Sequence, residues 1–268
     1  MSNYDDLERS ADQTSSPPTA TLSDGETEKE VSQVKSDNQH VYLGGKKYLR
    51  SDLLAAFGGT LNPGLSPPPT HKFANPSPLG LSAFALTTFV LSLINCQARG
   101  VTQPNILIGL AAFYGGFIQL LAGMWEIVVE NTFGGLALSS YGGFWMSWAA
   151  IYIPWFNIAA SYEDPIELEN AVGFYLIAWC IFTYGLCVCT LKATVMFFAL
   201  FFMLGTTFLL LAIGAFIQST GATKAGGVFG VITAFIAWYN AYAGVATKEN
   251  TYVTAKGYLL PVFGQKRD

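Results

Sequence analysis

Six long apolar stretches alternate with short polar breaks between residues 77 and 246. The stretches cover residues 77–95, 105–125, 133–154, 171–191, 194–217 and 225–246. Each has close to the ~20 residues that an α-helix needs to cross a hydrocarbon core about 30 Å thick. Because the backbone in lipid must satisfy its own hydrogen bonds, segments of this length cross as helices. The pattern therefore predicts an all-α integral membrane protein with six transmembrane helices.

Small residues recur at helical spacing on two of these stretches. Gly109, Gly116 and Gly123 repeat every seven residues on the second, and Gly226 and Gly230 are four apart on the sixth. Small-residue stripes let helices approach closely where lipid supplies no hydrophobic force for association. The sequence leaves open whether each stripe faces a helix of the same chain or of another subunit.

Charged residues concentrate outside the apolar region. Residues 1–72 contain 17 charged side chains and residues 248–268 contain 6, whereas residues 73–247 contain only 9. So few solvating groups on so much apolar surface exclude a soluble enzyme. They also exclude a nucleic-acid-binding domain, which needs a clustered basic face.

These shifts in composition divide the chain into three parts. Residues 1–72 form a polar, largely disordered N-terminal tail, with a short surface helix within residues 48–57. Residues 73–247 form a six-helix transmembrane transport domain, and residues 248–268 a short C-terminal tail. The first forty residues contain no apolar segment, so we expect no signal peptide.

Lys and Arg near the predicted helix ends set the orientation, because cytoplasmic loops carry an excess of both. A cytoplasmic N-terminus leaves only Arg99 and Lys224 on the opposite side, together with the acidic run at residues 163–169. The cytoplasmic side then receives Lys46, Lys47, Arg50, Lys72, Lys192, Lys248, Lys256, Lys266 and Arg267. Both termini are therefore predicted to be cytoplasmic.

Catalytic or metal-binding chemistry is not indicated by the sequence. The two histidines, His40 and His71, precede the apolar region, so neither can form a metal cluster or a proton relay within it. The cysteines are typical of small packing residues. We expect a protein that is not an enzyme and that has no cofactor or metal.

Two features at predicted helix ends have two interpretations each. Asn75 and Pro76 open the first apolar stretch, where they either begin the helix or place its positive end at a pore mouth that attracts anions. Glu126 closes the second stretch, where its carboxylate either reaches water at the membrane interface or serves a functional site.

Five motifs occur in order along the first half of the apolar region. They are NPSPLGL at residues 75–81, FYGGFIQ at 113–119, GMWE at 123–126, ENTFGG at 130–135 and SYGGFW at 140–145. This series closely resembles the acetate uptake transporter family, which includes bacterial acetate–succinate permeases and fungal acetate or ammonia-outward transporters. The later stretch AFIAWYNAYAG at residues 234–244 resembles the fungal branch. Ser77 departs from the family signature, which has Ala at that position.

The resemblance implies six helices per subunit, six subunits in a ring and plasma-membrane permeation of acetate and similar short monocarboxylates. It also implies a hydrophobic pore constriction, which the local motifs place at Phe84, Tyr141 and Leu204. Such a ring has one hydroxyl and no charge, so a bare carboxylate is costly to pass. It favours the neutral acid, or an anion held by the hydroxyls of Thr87, Ser140 and Tyr141. We therefore expect any co-transported proton to travel on or beside the acetate.

Two alternative functions remain open at this point. An aromatic constriction admits ammonia as readily as acetic acid, so ammonia or ammonium export is one of them. The polar N-terminal tail suggests the other, a non-transporting membrane sensor or scaffold. The predicted substrate pathway comprises Asn75, Pro76, Thr87, Glu126 and Ser140 beside the constriction.

Overall fold

The structure is a computed structural model that describes residues 34–37, 39–43, 45–56 and 73–261. The chain divides into two units, Met1–Lys72 and Phe73–Asp268. Most of the predicted N-terminal tail, and the Pro-rich stretch before residue 73, lie outside the described residues.

The first unit contains a small antiparallel sheet that the sequence pattern did not indicate. Strands β1 (Val34–Ser36), β2 (His40–Leu43) and β3 (Lys46–Leu49) lie in that order, and helix α1 (Arg50–Ala56) follows. Gly45 adopts φ +82° in the β2–β3 turn, a backbone conformation that favours glycine. In the preceding turn Asp37 accepts the N–H groups of Gln39 and His40, which lower the pKa of its carboxyl group. The helix expected within residues 48–57 is therefore shorter, because Tyr48 and Leu49 belong to β3.

Residues 73–261, the described part of the second unit, contain six long helices. They are α2 (Ser77–Asn95), α3 (Asn105–Val128), α4 (Thr132–Tyr152), α5 (Pro165–Cys189), α6 (Val195–Phe216) and α7 (Thr220–Val245). Residues Leu110–Ile118 of α3 have π-helical hydrogen bonding. Each of the six apolar stretches predicted as helices lies largely within one of these helices.

Two helices begin earlier than their apolar stretches. Helix α5 begins at Pro165, where the Asp164 side chain accepts the N–H of Ile166. Helix α7 begins at Thr220, where the Ser219 hydroxyl accepts the N–H of Ala222. The predicted starts at 171 and 225 were wrong because apolarity marks the part of a helix suited to lipid, whereas a polar cap fixes its first turn.

Five of the described helices are long and apolar enough to cross a membrane, namely α2, α3, α5, α6 and α7. Helix α4 has 21 residues, but Gly, Ser, Thr, Tyr and Trp side chains lower its hydropathy. Several of its polar or amphipathic residues, including Tyr141 and Trp145, are buried against neighbouring helices. The chain is therefore a multi-pass membrane protein, and α4 is its least apolar long helix.

The glycines of both stripes face helices of the same chain, except Gly109, where a Cβ atom would meet nothing within 4 Å. A Cβ atom on Gly123 would lie 2.4 Å from the backbone nitrogen of Ser139 in α4. A Cβ atom on Gly226 would lie 2.8 Å from the Leu211 side chain in α6, and one on Gly227 2.8 Å from the Ser92 carbonyl oxygen in α2. Glycine thus sets the α3–α4 contact and lets α7 fit between α2 and α6.

The segment after α7 folds back against the helices. Residues Thr194 and Leu259 form an antiparallel bridge, with the Val195 N–H donating to the Tyr258 carbonyl over 2.8 Å. The Tyr239 hydroxyl donates to the Lys256 carbonyl over 2.9 Å. The described part of the predicted C-terminal tail is therefore held against the α5–α6 connection and the end of α7.

Candidate functional site

Three buried side chains from alternate helices belong to the hydrophobic core of the helix bundle. Phe84 of α2, Tyr141 of α4 and Leu204 of α6 are each 4% exposed and belong to one hydrophobic cluster. The rings of Phe84 and Tyr141 have centroids 5.9 Å apart. We call these residues, which the motifs placed at the constriction, the central triad; Phe84 contacts Tyr141, and Phe84 and Leu204 line one cavity.

Tyr141 is fixed by a hydrogen bond and by aromatic contacts. Its hydroxyl lies 2.9 Å from the hydroxyl of Thr183 in α5, which is fully buried. The Tyr141 ring also contacts Trp179 and Phe182 of α5, with centroids 6.0 and 5.9 Å away. Because its hydroxyl is already paired, Tyr141 presents mainly its ring to the centre of the bundle.

Replacing Thr183 by Val should destabilise the protein by about 1–3 kcal/mol, because the buried Tyr141 hydroxyl would lose its partner. Thermal unfolding of the purified protein in detergent measures this change. Thr183→Ser keeps the hydroxyl and should remain within about 1 kcal/mol of the wild type. Equal stability of the Val variant, the Ser variant and the wild type would contradict this assignment.

A cavity of about 280 Å³ lies against the triad on the side of the α2 C-terminus. Phe84 and Leu204 line it together with aromatic residues of α4 and polar residues at the ends of α2 and α3. The principal lining residues are Thr88, Leu91, Ser92, Asn95, Pro104, Phe144, Trp145, Trp148, Glu169, Leu176, Thr207 and Phe208. Two members of the triad thus close one end of an aromatic, partly polar chamber.

Two buried polar groups of this cavity have no hydrogen-bond partner within the described residues. They are the hydroxyl of Thr88, 4% exposed, and the indole nitrogen of Trp145, 2% exposed. Both can donate a hydrogen bond, and neither carries a charge. The cavity therefore suits a small solute with an oxygen acceptor and one apolar end.

Thr87, which the sequence placed in the substrate pathway, does not line the cavity. The Thr87 hydroxyl donates to the Ala83 carbonyl within α2 over 2.8 Å, and its side chain packs against Gly115 of α3. Thr88 lines the cavity instead. The missed signal was helical spacing, since Thr88 lies four residues after Phe84 and shares its helix face.

Ser140 does not line the cavity that Phe84 and Leu204 close. It lines a separate hollow between α3 and α4, together with Met124, Ile127 and Ser139. Adjacent residues of a helix differ by about 100° in direction, so Ser140 and Tyr141 face different surroundings. The expectation that both hydroxyls serve one constriction is not met in this structure.

Glu126 is buried where three helices end, with 1% of its surface exposed. The Ser77 hydroxyl, at the start of α2, donates to one of its carboxylate oxygens. The Asn131 amide, which precedes α4, donates to the other oxygen over 2.6 Å. Two helix N-termini with positive dipole ends therefore surround this carboxylate. The interpretation that Glu126 reaches interfacial water is wrong, and Ser77, the departure from the family signature, ties α2 to α3.

Asn75 and Pro76 lie just before α2, at the end of the bundle that holds Glu126. The exposed Asn75 side chain accepts the N–H of Ser77 over 3.1 Å, and Pro76 stands at the helix cap. Asn75 thus satisfies one free N–H of the first turn, as the capping interpretation requires. Within the described ranges, no group of three or more His, Cys, Asp or Glu residues could hold a metal ion.

Comparison with known proteins decides the family. The model of the GPR1/FUN34/yaaH family matches residues 57–262. The chain belongs to this family. It is 62% identical over 226 residues to Ammonia transport outward protein 2 of Saccharomyces cerevisiae, covering 84% of this chain and 80% of that protein. It is 51% identical over 223 residues to Acetate permease A of Emericella nidulans, covering 78% and 73%.

A solved structure of the bacterial acetate channel SatP is also similar. It has 35% sequence identity and a TM-score of 0.59, and the match covers 65% of this chain and 93% of the SatP chain. Membership of the GPR1/FUN34/yaaH family, together with the apolar helices, makes the chain a multi-pass membrane transporter.

Proposed function

We propose that this protein carries acetate and similar short monocarboxylates across the plasma membrane. The observation that carries the proposal is the cavity of about 280 Å³ that Phe84 and Leu204 of the central triad close at one end, with Tyr141 in ring contact with Phe84. The Thr88 hydroxyl and the Trp145 indole N–H would receive the carboxyl oxygens in that cavity. Similarity to an acetate permease and to an acetate channel supports acetate as the solute.

Electrostatics favours passage of the neutral acid through the triad. Phe84, Leu204 and the Tyr141 ring carry no charge, so a carboxylate would lose its hydration without compensation. Protonated acetic acid avoids that loss. Transport is therefore proton-linked in this proposal, with the proton carried on the solute rather than along a chain of side chains.

The proposed topology has six transmembrane helices, α2–α7, and both termini in the cytoplasm. Helix α4 is included because 21 residues rise about 31 Å, enough to cross the hydrocarbon core. The domain limits remain those expected from composition, with tails at residues 1–72 and 248–268 and a transport domain between them. Six such subunits are proposed to form a homo-hexamer.

Uptake of labelled acetate into liposomes that contain the purified protein and an internal pH dye tests this proposal. We expect flux well above that of empty liposomes, accompanied by acidification of the interior. An inward proton gradient should drive accumulation above equilibrium. Acetate flux without acidification would refute the proton linkage, and absence of flux would refute acetate transport.

Ammonia is the second candidate solute, because the chain is 62% identical to an ammonia transport outward protein. The uncharged triad presents no electrostatic barrier to NH₃. Saturating ammonium added to the same liposomes separates the two solutes. Acetate flux that ammonium leaves unchanged, with no alkalinisation by ammonia entry beyond that in empty liposomes, would dispose of this candidate.

A further inference from the structure

Among the described residues that line the cavity beside the central triad, Glu169 of α5 is the charged one. It lies on the same face of α5 as Val172 and Leu176, which follow at helical spacing and also line the cavity. Val172 and Leu176 are 8% and 5% exposed, whereas Glu169 and Thr102, in the α2–α3 connection, are exposed. Glu169 therefore lies at the mouth of the cavity, where the buried lining gives way to solvent.

The surroundings of Glu169 leave its negative charge without a partner. Within the described ranges of the chain it forms no ion pair. Tyr152, at the end of α4, and Thr223, near the start of α7, share the mouth, and both are uncharged. The cations Arg99 and Lys224 belong to neighbouring segments but do not line the cavity. The carboxylate charge thus acts directly on a solute that enters.

The interior of the cavity has the opposite preference. The unpaired Thr88 hydroxyl and the unpaired Trp145 indole N–H can both donate a hydrogen bond. Such donors form hydrogen bonds about twice as strong with a charged acceptor as with a neutral one. These two groups alone would hold a carboxylate better than the neutral acid, although the uncharged triad favours the neutral acid. The anion would then occupy the cavity without passing, so selection is needed before a solute reaches the two donors.

A fixed negative charge at the mouth supplies that selection. A cleft lined by one sign of charge repels solutes of the same sign, and the effect is strongest where low-dielectric walls surround the entrance. A carboxylate that approaches Glu169 is therefore repelled. The neutral acid has no net charge and enters without this cost.

We propose that Glu169 is a specificity-determining residue that excludes carboxylate anions from the cavity and so admits the neutral acid. This inference rests on the proposed acetate transport and adds the group that distinguishes the two forms of the solute. Selection at the mouth also strengthens the proton linkage, because an acid molecule that enters brings its proton with it.

Glu167 provides the matched comparison. It belongs to the same acidic run, is exposed and lies in the first turn of α5, where a negative charge suits the positive end of the helix. Two residues of a helix turn through about 200°, so Glu167 faces away from the cavity and does not line it. Gln at either position removes one negative charge from the same end of the molecule, but only Glu169 lies at the mouth.

Trifluoroacetate is the probe that tests this exclusion, because it has about the size of acetate and is an anion at every working pH. Its inhibition constant for labelled acetate uptake is measured with the full chain in liposomes, at one fixed pH and low ionic strength. We expect Glu169→Gln to lower this constant about fivefold, the effect of one exposed charge close to a binding site. Glu167→Gln should leave it unchanged.

Three further measurements separate charge from structure. Glu169→Asp keeps the carboxylate and should retain the wild-type inhibition constant. Glu169→Lys reverses the charge and should lower the constant further than Glu169→Gln does. In the wild type, added salt should strengthen inhibition by trifluoroacetate, because ions screen the repulsion. This last measurement needs no variant to fold.

Each outcome has a distinct meaning. Equal effects of Glu169→Gln and Glu167→Gln would overturn the role of Glu169, because the general surface charge would explain both. An inhibition constant that neither Glu169→Gln nor Glu169→Lys changes, or that salt leaves unaltered in the wild type, would overturn it as well. Acetate uptake by the wild type would leave the proposed transport intact in all these cases. Wild-type liposomes without flux would overturn that transport and this inference together.

Discussion

Alanine at position 142 is expected to lower the free energy of unfolding by about 3 kcal/mol, near the upper end for overpacking in a closely packed interior. A Cβ atom at Gly142 of α4 would lie 2.7 Å from the backbone nitrogen of Leu120 and 3.0 Å from the carbonyl oxygen of Gly116, both in α3. Backbone atoms cannot rotate away as a side chain can, so the two helices must separate. For a domain of roughly 200 residues this corresponds to a fall in Tm of about 6–12 °C.

Gly143 supplies the matched control, because a Cβ atom there would meet nothing within 4 Å. The Gly143→Ala variant changes the same helix by the same methyl group, so its Tm should stay within about 2 °C of the wild type. Thermal unfolding of both variants in detergent, followed by circular dichroism, measures the difference. If the two alanine variants unfold at the same temperature, the close α3–α4 contact is not as described.

Hydrophobic patterning predicted the helices well because lipid imposes one physical requirement on all of them. A span must be apolar over about 20 residues, and stretches such as residues 77–95 and 194–217 meet that requirement. The three residues of the triad were identified through motif resemblance rather than patterning. Phe84, Tyr141 and Leu204 are apolar residues among many, and only their neighbouring motifs distinguish them.

The surroundings of the triad could not be predicted because they depend on helix rotation. Thr87 and Thr88 are alike in sequence, yet one bonds within α2 and the other lines the cavity. Ser140 was placed beside Tyr141 from sequence adjacency, which ignores the turn of the helix. The place of Glu169 was missed for the same reason, since only the rotation of α5 shows which carboxylate of the acidic run lines the cavity.

The sheet within residues 34–49 was missed for another reason. Its strands have three or four residues each, too short for an alternating pattern to stand out from a polar tail. The hydrogen-bond partners of Glu126 could not be predicted from the sequence either. Ser77 lies 49 residues before it, and only the antiparallel contact of α2 with α3 brings the two side chains together.

Shortening Leu204 to Ala is the change that should most alter what the protein transports. Leu204 and Phe84 close the inner end of the cavity, and the Ala variant removes three carbon atoms from that closure. A single methylene in an apolar constriction discriminates by about tenfold or more. Butyrate flux relative to acetate flux should therefore rise at least about tenfold in Leu204→Ala, measured in the same liposomes with labelled acids.

Ile213 provides the control for this experiment, since it lies on the same helix, has the same volume and is 40% exposed on the outer face. Ile213→Ala should leave the butyrate-to-acetate ratio unchanged. Removing a buried Leu also costs about 2–5 kcal/mol of stability, so Leu204→Val serves as a milder variant with a smaller shift in the same direction. The ratio is the decisive quantity, because a loss of folded protein lowers both fluxes equally, whereas a wider constriction favours only the larger acid. An unchanged ratio in both Leu204 variants would remove this residue from the constriction.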